Sequence, residues 1–137
     1  LFNPEVFDTG PYGYIKPRIK LEFGARGETE PSETKTIVPY IAQEFPTEFS
    51  SAEVEVATLS VARTFWEKVT ILHALYHGTK LLPEMSRHYY DTAMLAKKGV
   101  DASALAAPEL LARVVLNESL MFADNKASYE TALLGSL

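Results

Sequence analysis

The sequence predicts an α+β chain: a short strand-and-loop portion over residues 1–57, then a helical portion over 58–137 with about four helices. Three observations carry this reading. Six of the eight prolines (Pro4, Pro11, Pro17, Pro31, Pro39 and Pro46) precede residue 58. Proline removes a backbone donor and clashes with the preceding turn, so long helices are excluded there. Residues 15–23 alternate as a strand does, and beyond Ser60 apolar residues recur at helical spacing.

Taken in order, Ile15, Ile19, Leu21 and Phe23 share one face of the first expected strand. Lys16, Arg18, Lys20 and Glu22 share the other. Pro17 limits this strand to an edge or places it at the strand's start. Gly24 to Lys35 reads as a polar loop, Thr36 to Ile41 as a short strand or a helix entry, and Val54-Glu55-Val56 as a second short alternating stretch. Ser60 is the expected N-cap of the first long helix. Its apolar stripe is Val61, Phe65, Val69, Leu72 and Tyr76, and Gly78 is its stop. A second helix is expected from about Pro83 to Lys98, ending at Gly99. Asp101 to Ala107 is a short helix or a linker. Pro108 opens a third long helix running towards Phe122, and a last helix is expected over 125–134.

Composition narrows the function. At 137 residues, 47% of them hydrophobic, the chain fits one domain with a sizeable core. A net charge of −5 argues against a domain-wide electrostatic nucleic-acid binder. With no cysteine, disulfides, zinc ribbons and thiol catalysis are excluded, which is compatible with a reducing cytoplasm. No apolar run is long enough to span a bilayer. The opening Leu-Phe-Asn-Pro-Glu has no basic and apolar signal-peptide character. A chain that opens on Leu1 is expected to be a piece of something longer.

Charged residues stand out on helices that otherwise read as core. Arg63-Thr64-Phe65-Trp66-Glu67-Lys68 carries the only tryptophan, and Arg87-His88-Tyr89-Tyr90-Asp91 follows. Buried charge is costly unless paired. Lys68 shares a stripe with Thr64, Ile71 and Leu75 at the border of the apolar face, where its ammonium could reach a phosphate or merely snorkel. Arg87 and Asp91 stand at i, i+4 and can pair along the helix. Tyr89, Tyr90, Met94 and Leu95 read as core rather than as a stacking platform. His73 and His77 have the i, i+4 spacing of metal ligands, with His88 a possible third. Ala74 stands where a zinc-protease helix needs glutamate, so structural histidines are the better reading. On the first strand, Lys16, Arg18 and Lys20 could contact phosphates and Glu22 could hold Mg²⁺; a solvated strand face explains the same residues. There is no Gly-rich phosphate loop and no nucleophile elbow.

Four strings in this order resemble the AbiEii/AbiGii-type nucleotidyltransferase toxins of bacterial abortive-infection systems. They are Ile19-Lys20-Leu21-Glu22-Phe23-Gly24-Ala25-Arg26; Pro31-Ser32-Glu33 with Val38-Pro39-Tyr40; Arg63 to Lys68; and Ser86-Arg87-His88-Tyr89-Tyr90-Asp91. The resemblance implies part of a polymerase-β-like nucleotidyltransferase fold, with residues 1–57 completing its sheet. It implies transfer of a nucleotide from an NTP to an acceptor, tRNA among the acceptors it suggests, with Mg²⁺ as cofactor and a cognate antitoxin as partner. Residue by residue, it makes Glu22 a metal-holding carboxylate, Lys68 the lysine on the nucleotide phosphates and Asp91 its paired aspartate. Arg63, Arg87 and Lys20 become supporting substrate contacts. The family's Gly-Ser turn followed by Asp-x-Asp, which supplies its main metal ligands, does not occur in this sequence. The isolated chain is therefore expected to be inactive. The alternative is a non-catalytic helical module that binds an antitoxin or another subunit.

Overall fold

A computed structural model of the chain describes residues 21, 23–25, 27–49, 51–78 and 83–136. Among them are two strands, five α-helices and one short 3-10 turn. Strands β1 (Ser32–Ile37) and β2 (Val54–Leu59) form an antiparallel ribbon, with the short helix α1 (Tyr40–Glu44) in the connection between them. The register sets Ser32 opposite Leu59 and Ile37 opposite Val54. Strand structure thus begins three residues before Lys35, inside the stretch expected to be a polar loop. Thr34 and Thr36 are β-branched and suit a strand whose neighbours need not be buried.

The helices follow as α2 (Val61–His77), α3 (Ser86–Lys97), α4 (Val100–Leu105) and α5 (Pro108–Met121). Ser60 caps α2 as expected: its hydroxyl accepts a hydrogen bond from the Arg63 amide at 3.2 Å. Gly99 separates α3 from α4 with a φ of 78°, a left-handed conformation that glycine adopts without a Cβ penalty. Pro108 takes the first turn of α5, where its missing N–H has no helical partner to lose. No helix among the described residues is long and apolar enough to cross a membrane.

Helix α2 is central and packs against α3, α4 and α5. The core gathers Phe65 and Trp66 from α2, Ala104 from α4, and Leu110, Leu111 and Val114 from α5. Trp66 buries its ring and donates its indole N–H to the Ala104 carbonyl at 3.3 Å. An amphipathic tryptophan is buried without penalty when its one polar atom finds such a partner.

Several expectations change. The buried residues of α2 are Arg63, Phe65, Trp66, Thr70 and His73. The apolar stripe runs from Val61 to Tyr76, yet both of those end residues are exposed. A helix wrapped by three neighbours is buried over a wide arc, so the mixed-polarity stripe 63–66–70–73 goes inside as well. Tyr89 and Tyr90 are exposed, not core, because α3 turns His88 inward. The last expected helix shrinks to the 3-10 turn Tyr129–Thr131. Ser128 precedes it at a φ of 50°, and a left-handed residue cannot continue a right-handed helix. Leu21 and Phe23 lie in no strand and are exposed. The rest of the 15–23 strand, including Lys20 and Glu22, lies outside the described residues.

Candidate functional site

The two charged strings place their cations in different settings. Arg63, one turn into α2, has a side chain with 0% exposure. Its Nη1 donates to Glu28 Oε2 at 2.7 Å and to the Glu30 carbonyl at 2.7 Å, and its Nε donates to Glu67 Oε1 at 3.0 Å. Arg113 on α5 grips the same Glu28 from the other side. Arg113 first, and Arg63 second, hold the Glu28 carboxyl below its ordinary range. The planar fork of an arginine suits this shared use of carboxylates. The cluster joins the segment leading into β1 to helices α2 and α5.

Lys68, five residues along, behaves differently. Its side chain is 23% exposed and that of Asp91 40%. Lys68 Nζ donates to Asp91 Oδ2 at 2.8 Å, bridging α2 and α3. Asp91 therefore pairs across helices with Lys68, not along its own helix with Arg87. Arg87 is exposed and forms no ion pair among the described residues. The Lys68 hydrogen bond, only partly opposed by burial, holds the Asp91 carboxyl below its usual range.

His88 completes the group. Its Nδ1 lies 3.5 Å from Lys68 Nζ, a long contact. Burial, then the positive charges of Lys68 and Arg87, push its pKa below the ordinary histidine value. The ring is therefore neutral at pH 7, and in the tautomer with the proton on Nε2 it turns a lone pair to the ammonium.

Beyond His88 the surface dips into a cleft of about 660 Å³ between α2, the start of α3, and the end of α5 with the loop that follows. That size lies in the usual range for small-molecule sites. Ile71, Leu75, Met85 and Phe122 give it apolar walls, and Glu118 and Tyr129 add polar groups. Glu118 is 9% exposed. Burial, then the nearby Glu67, raise its pKa above the usual carboxyl value, with Arg63 opposing. Sequence reading passed over this residue. Its signal was the run Leu111, Val114, Glu118, Phe122 at i, i+3, i+7, i+11, which sets one carboxylate on an apolar helix face. Glu28 was missed too, since a glutamate in a polar loop gives no hint of a guanidinium more than thirty residues away.

The histidines at helical spacing have a structural setting. His73 Nε2 lies 3.0 Å from the Ser128 carbonyl and so donates to it. The His73 and His77 rings stack tilted at 4.5 Å between centroids. Among the described residues, no group of three or more His, Cys, Asp or Glu side chains is placed to hold a metal ion.

The family described as nucleotidyl transferase AbiEii toxin, type IV TA system, matches residues 4–132. No curated protein and no solved structure gives a significant match.

Proposed function

Because the chain belongs to the AbiEii nucleotidyltransferase toxin family of type IV toxin–antitoxin systems, we propose that Lys68 and Asp91 form part of the wall of a nucleotidyl-transfer site. In this reading Lys68 contacts the phosphates of a nucleoside triphosphate, and Asp91 holds the ammonium in place until they arrive. The observation that carries it is the 2.8 Å Lys68–Asp91 pair, which bridges two helices and stays open to solvent on one side. A partly exposed ammonium held by one carboxylate keeps donors for a phosphate; a lysine carries three. Arg87 is exposed four residues from Asp91 on α3 and is the second cation of that wall. Arg63 we assign to anchoring the ribbon, since three acceptors already engage its guanidinium.

The family's activity implies an NTP as donor, and we infer an RNA acceptor and a cognate antitoxin as partners. We also infer that the ribbon is part of a polymerase-β-like sheet. Lys20 as a phosphate contact and Glu22 as a Mg²⁺ ligand belong to the same proposal and lie outside the described residues. The described residues do not by themselves fit a Mg²⁺ site: Asp91's carboxylate is engaged by Lys68, and no cluster of three metal-ligating side chains accompanies it. The chain's own contribution is thus to bind and neutralise phosphate. Since this sequence has no Asp-x-Asp, the chain alone is expected to bind NTP without transferring it.

The test is titration of the chain with an NTP beside NTP-dependent labelling of RNA. Binding that Lys68→Ala weakens at least tenfold, without labelling, supports the reading. Equal binding by Lys68→Ala overturns the phosphate role, and Lys68-dependent labelling overturns the expected inactivity. A second reading, a non-catalytic module that binds an antitoxin, draws on the exposed Ile37, Val54 and Val56 of the ribbon. Antitoxin binding with no affinity for NTP would favour it.

A further inference from the structure

The far end of the ribbon has the make-up of a contact surface. From Ile37, the last residue of β1, to Glu55 in β2, the sequence carries four glutamates (Glu44, Glu48, Glu53 and Glu55) and no lysine, arginine or histidine. All four are exposed, and none forms an ion pair among the described residues. Lys35, the one lysine of the two strands, is taken by Glu33 at 2.9 Å.

Six large apolar side chains stand in the open among these carboxylates: Ile37, Tyr40, Ile41, Phe45, Phe49 and Val54. The local structure explains why. Helix α1 has five residues and buries Ala42 alone, so Tyr40 stays 87% exposed and Ile41 and Phe45 just over half. A helix this short gains little stability by itself. Apolar side chains exposed singly are ordinary, whereas a group of them rimmed by polar residues marks a place of association. Between α1 and the loop before β2 lies a hollow of about 330 Å³. Val38, Ala42, Pro46 and Phe49 give it apolar walls, and Glu53 is its only charged group. That suits a long cationic side chain, which lays its methylene stem on apolar surface and carries its charge at the end.

Charge decides what covers this patch. Nucleic acid and anionic lipid bring negative charge against four carboxylates. A second copy of the chain sets carboxylate against carboxylate, and like charges across an interface cost affinity. We propose that the ribbon tip docks a basic, amphipathic segment of a partner protein. Its apolar side chains cover Tyr40, Ile41 and Phe45, one lysine or arginine enters the hollow at Glu53, and further cations meet Glu44, Glu48 and Glu55. This surface shares no residue with the Lys68–Asp91 pair, so it stands apart from the phosphate-binding reading. It also does not require the partner to be an antitoxin.

The probe is a short fluorescent synthetic peptide with leucines on one helical face and arginines flanking them, titrated against the 137-residue chain and read by anisotropy. Binding is expected. Tyr40→Ser combined with Phe45→Ser should weaken it about tenfold, the scale of losing interface anchors. Glu53→Gln should weaken it severalfold, the scale of one exposed ion pair. Glu109→Gln combined with Glu130→Gln removes two exposed carboxylates elsewhere and should leave it unchanged. All these positions are exposed, and circular dichroism confirms that each variant is folded. An equal loss in the Glu109→Gln, Glu130→Gln chain would show attraction by net charge alone and overturn the proposal. So would equal binding by a peptide whose leucines are replaced with serine, or no binding of the original peptide. Sedimentation covers the other occupants. A dimer that Tyr40→Ser with Phe45→Ser dissolves assigns the patch to a second copy, and phosphatidylcholine vesicles that capture the chain but not that variant assign it to lipid; either result overturns the proposal. Lys68→Ala should bind the peptide like the wild type, and the Tyr40→Ser, Phe45→Ser chain should bind NTP like the wild type. A failure at the tip is thereby told apart from a failure at Lys68.

Discussion

Arg63 and Lys68 sit five residues apart on one helix, and their surroundings are opposite. Arg63 is sealed from solvent and shared among Glu28, Glu67 and a backbone carbonyl. Lys68 has one close carboxylate partner and a solvent-facing side. The first is a structural clamp; the second retains capacity for a ligand. Proximity in sequence to a lysine with a phosphate role says little about an arginine on the same helix. What decides is the number of acceptors already in place.

Breaking this contrast starts at the clamp. Arg63→Met should destabilise the chain by about 3 kcal/mol, the low end for removing one member of a buried ion network, because its carboxylate partners keep some solvent. Urea denaturation followed by tryptophan fluorescence measures this through Trp66, and an unchanged midpoint would remove the distinction. Lys68→Met should do the reverse: little change in the melting transition, and at least a tenfold loss of NTP affinity. A melting loss as large as that of Arg63→Met would make both residues structural.

Two pH experiments sharpen the comparison. Glu118 has a raised folded-state pKa, so the folded chain holds that proton more tightly than the unfolded chain does. Its contribution is present at low pH and lost as pH rises through the raised value. Arg63, which opposes the shift, and Glu67, which adds to it, face the same carboxyl. Glu118→Gln should therefore gain stability relative to the wild type from pH 4 to pH 7, read from denaturation midpoints. A constant difference would mean that Glu118 is ordinarily solvated.

The smallest effect concerns His88. Its folded pKa is lowered, so its contribution is present above the ordinary histidine value and lost as pH falls through the folded one. An NMR titration should find His88 below 6.5. In Lys68→Met it should rise part of the way back, since burial, the larger cause, remains. No rise would mean that the ammonium does not face the ring.

How much of this was legible in the sequence depends on how local each signal is. Helices α2, α3 and α5 were readable because Ser60, Gly99 and Pro108 mark ends within a residue or two and periodicity fills the interior; α3 starts at Ser86, three residues after the expected Pro83, and the stretch of α4 read equally as a short helix or a linker. The 3-10 turn at Tyr129 was not, because what stops the helix is the backbone conformation of Ser128, a residue type with no strong preference for it. Lys68 was placed at the border of the buried face, and it lies there. Its partnership with Asp91 joins two helices: the family resemblance paired these two residues, whereas the i, i+4 spacing of Arg87 and Asp91 pointed to a nearer partner. Arg63 went unrecognised as a clamp because its acceptors, Glu28 and the Glu30 carbonyl, come from a loop more than thirty residues upstream. Long-range electrostatics leaves no periodic trace.

The attachment of the ribbon has one more consequence. Only its Ser32–Leu59 end is moored: Arg63 holds the Glu30 carbonyl, and the Ser60 amide donates to the Pro31 carbonyl at 2.9 Å. At the Ile37–Val54 end, both of those side chains are exposed. The ribbon is thus a cantilever, fixed at its root. Amide hydrogen exchange should slow steadily from its tip to its root, and any load on the tip reaches α2 at its first turn, through the chain at Ser60 and the Arg63 guanidinium.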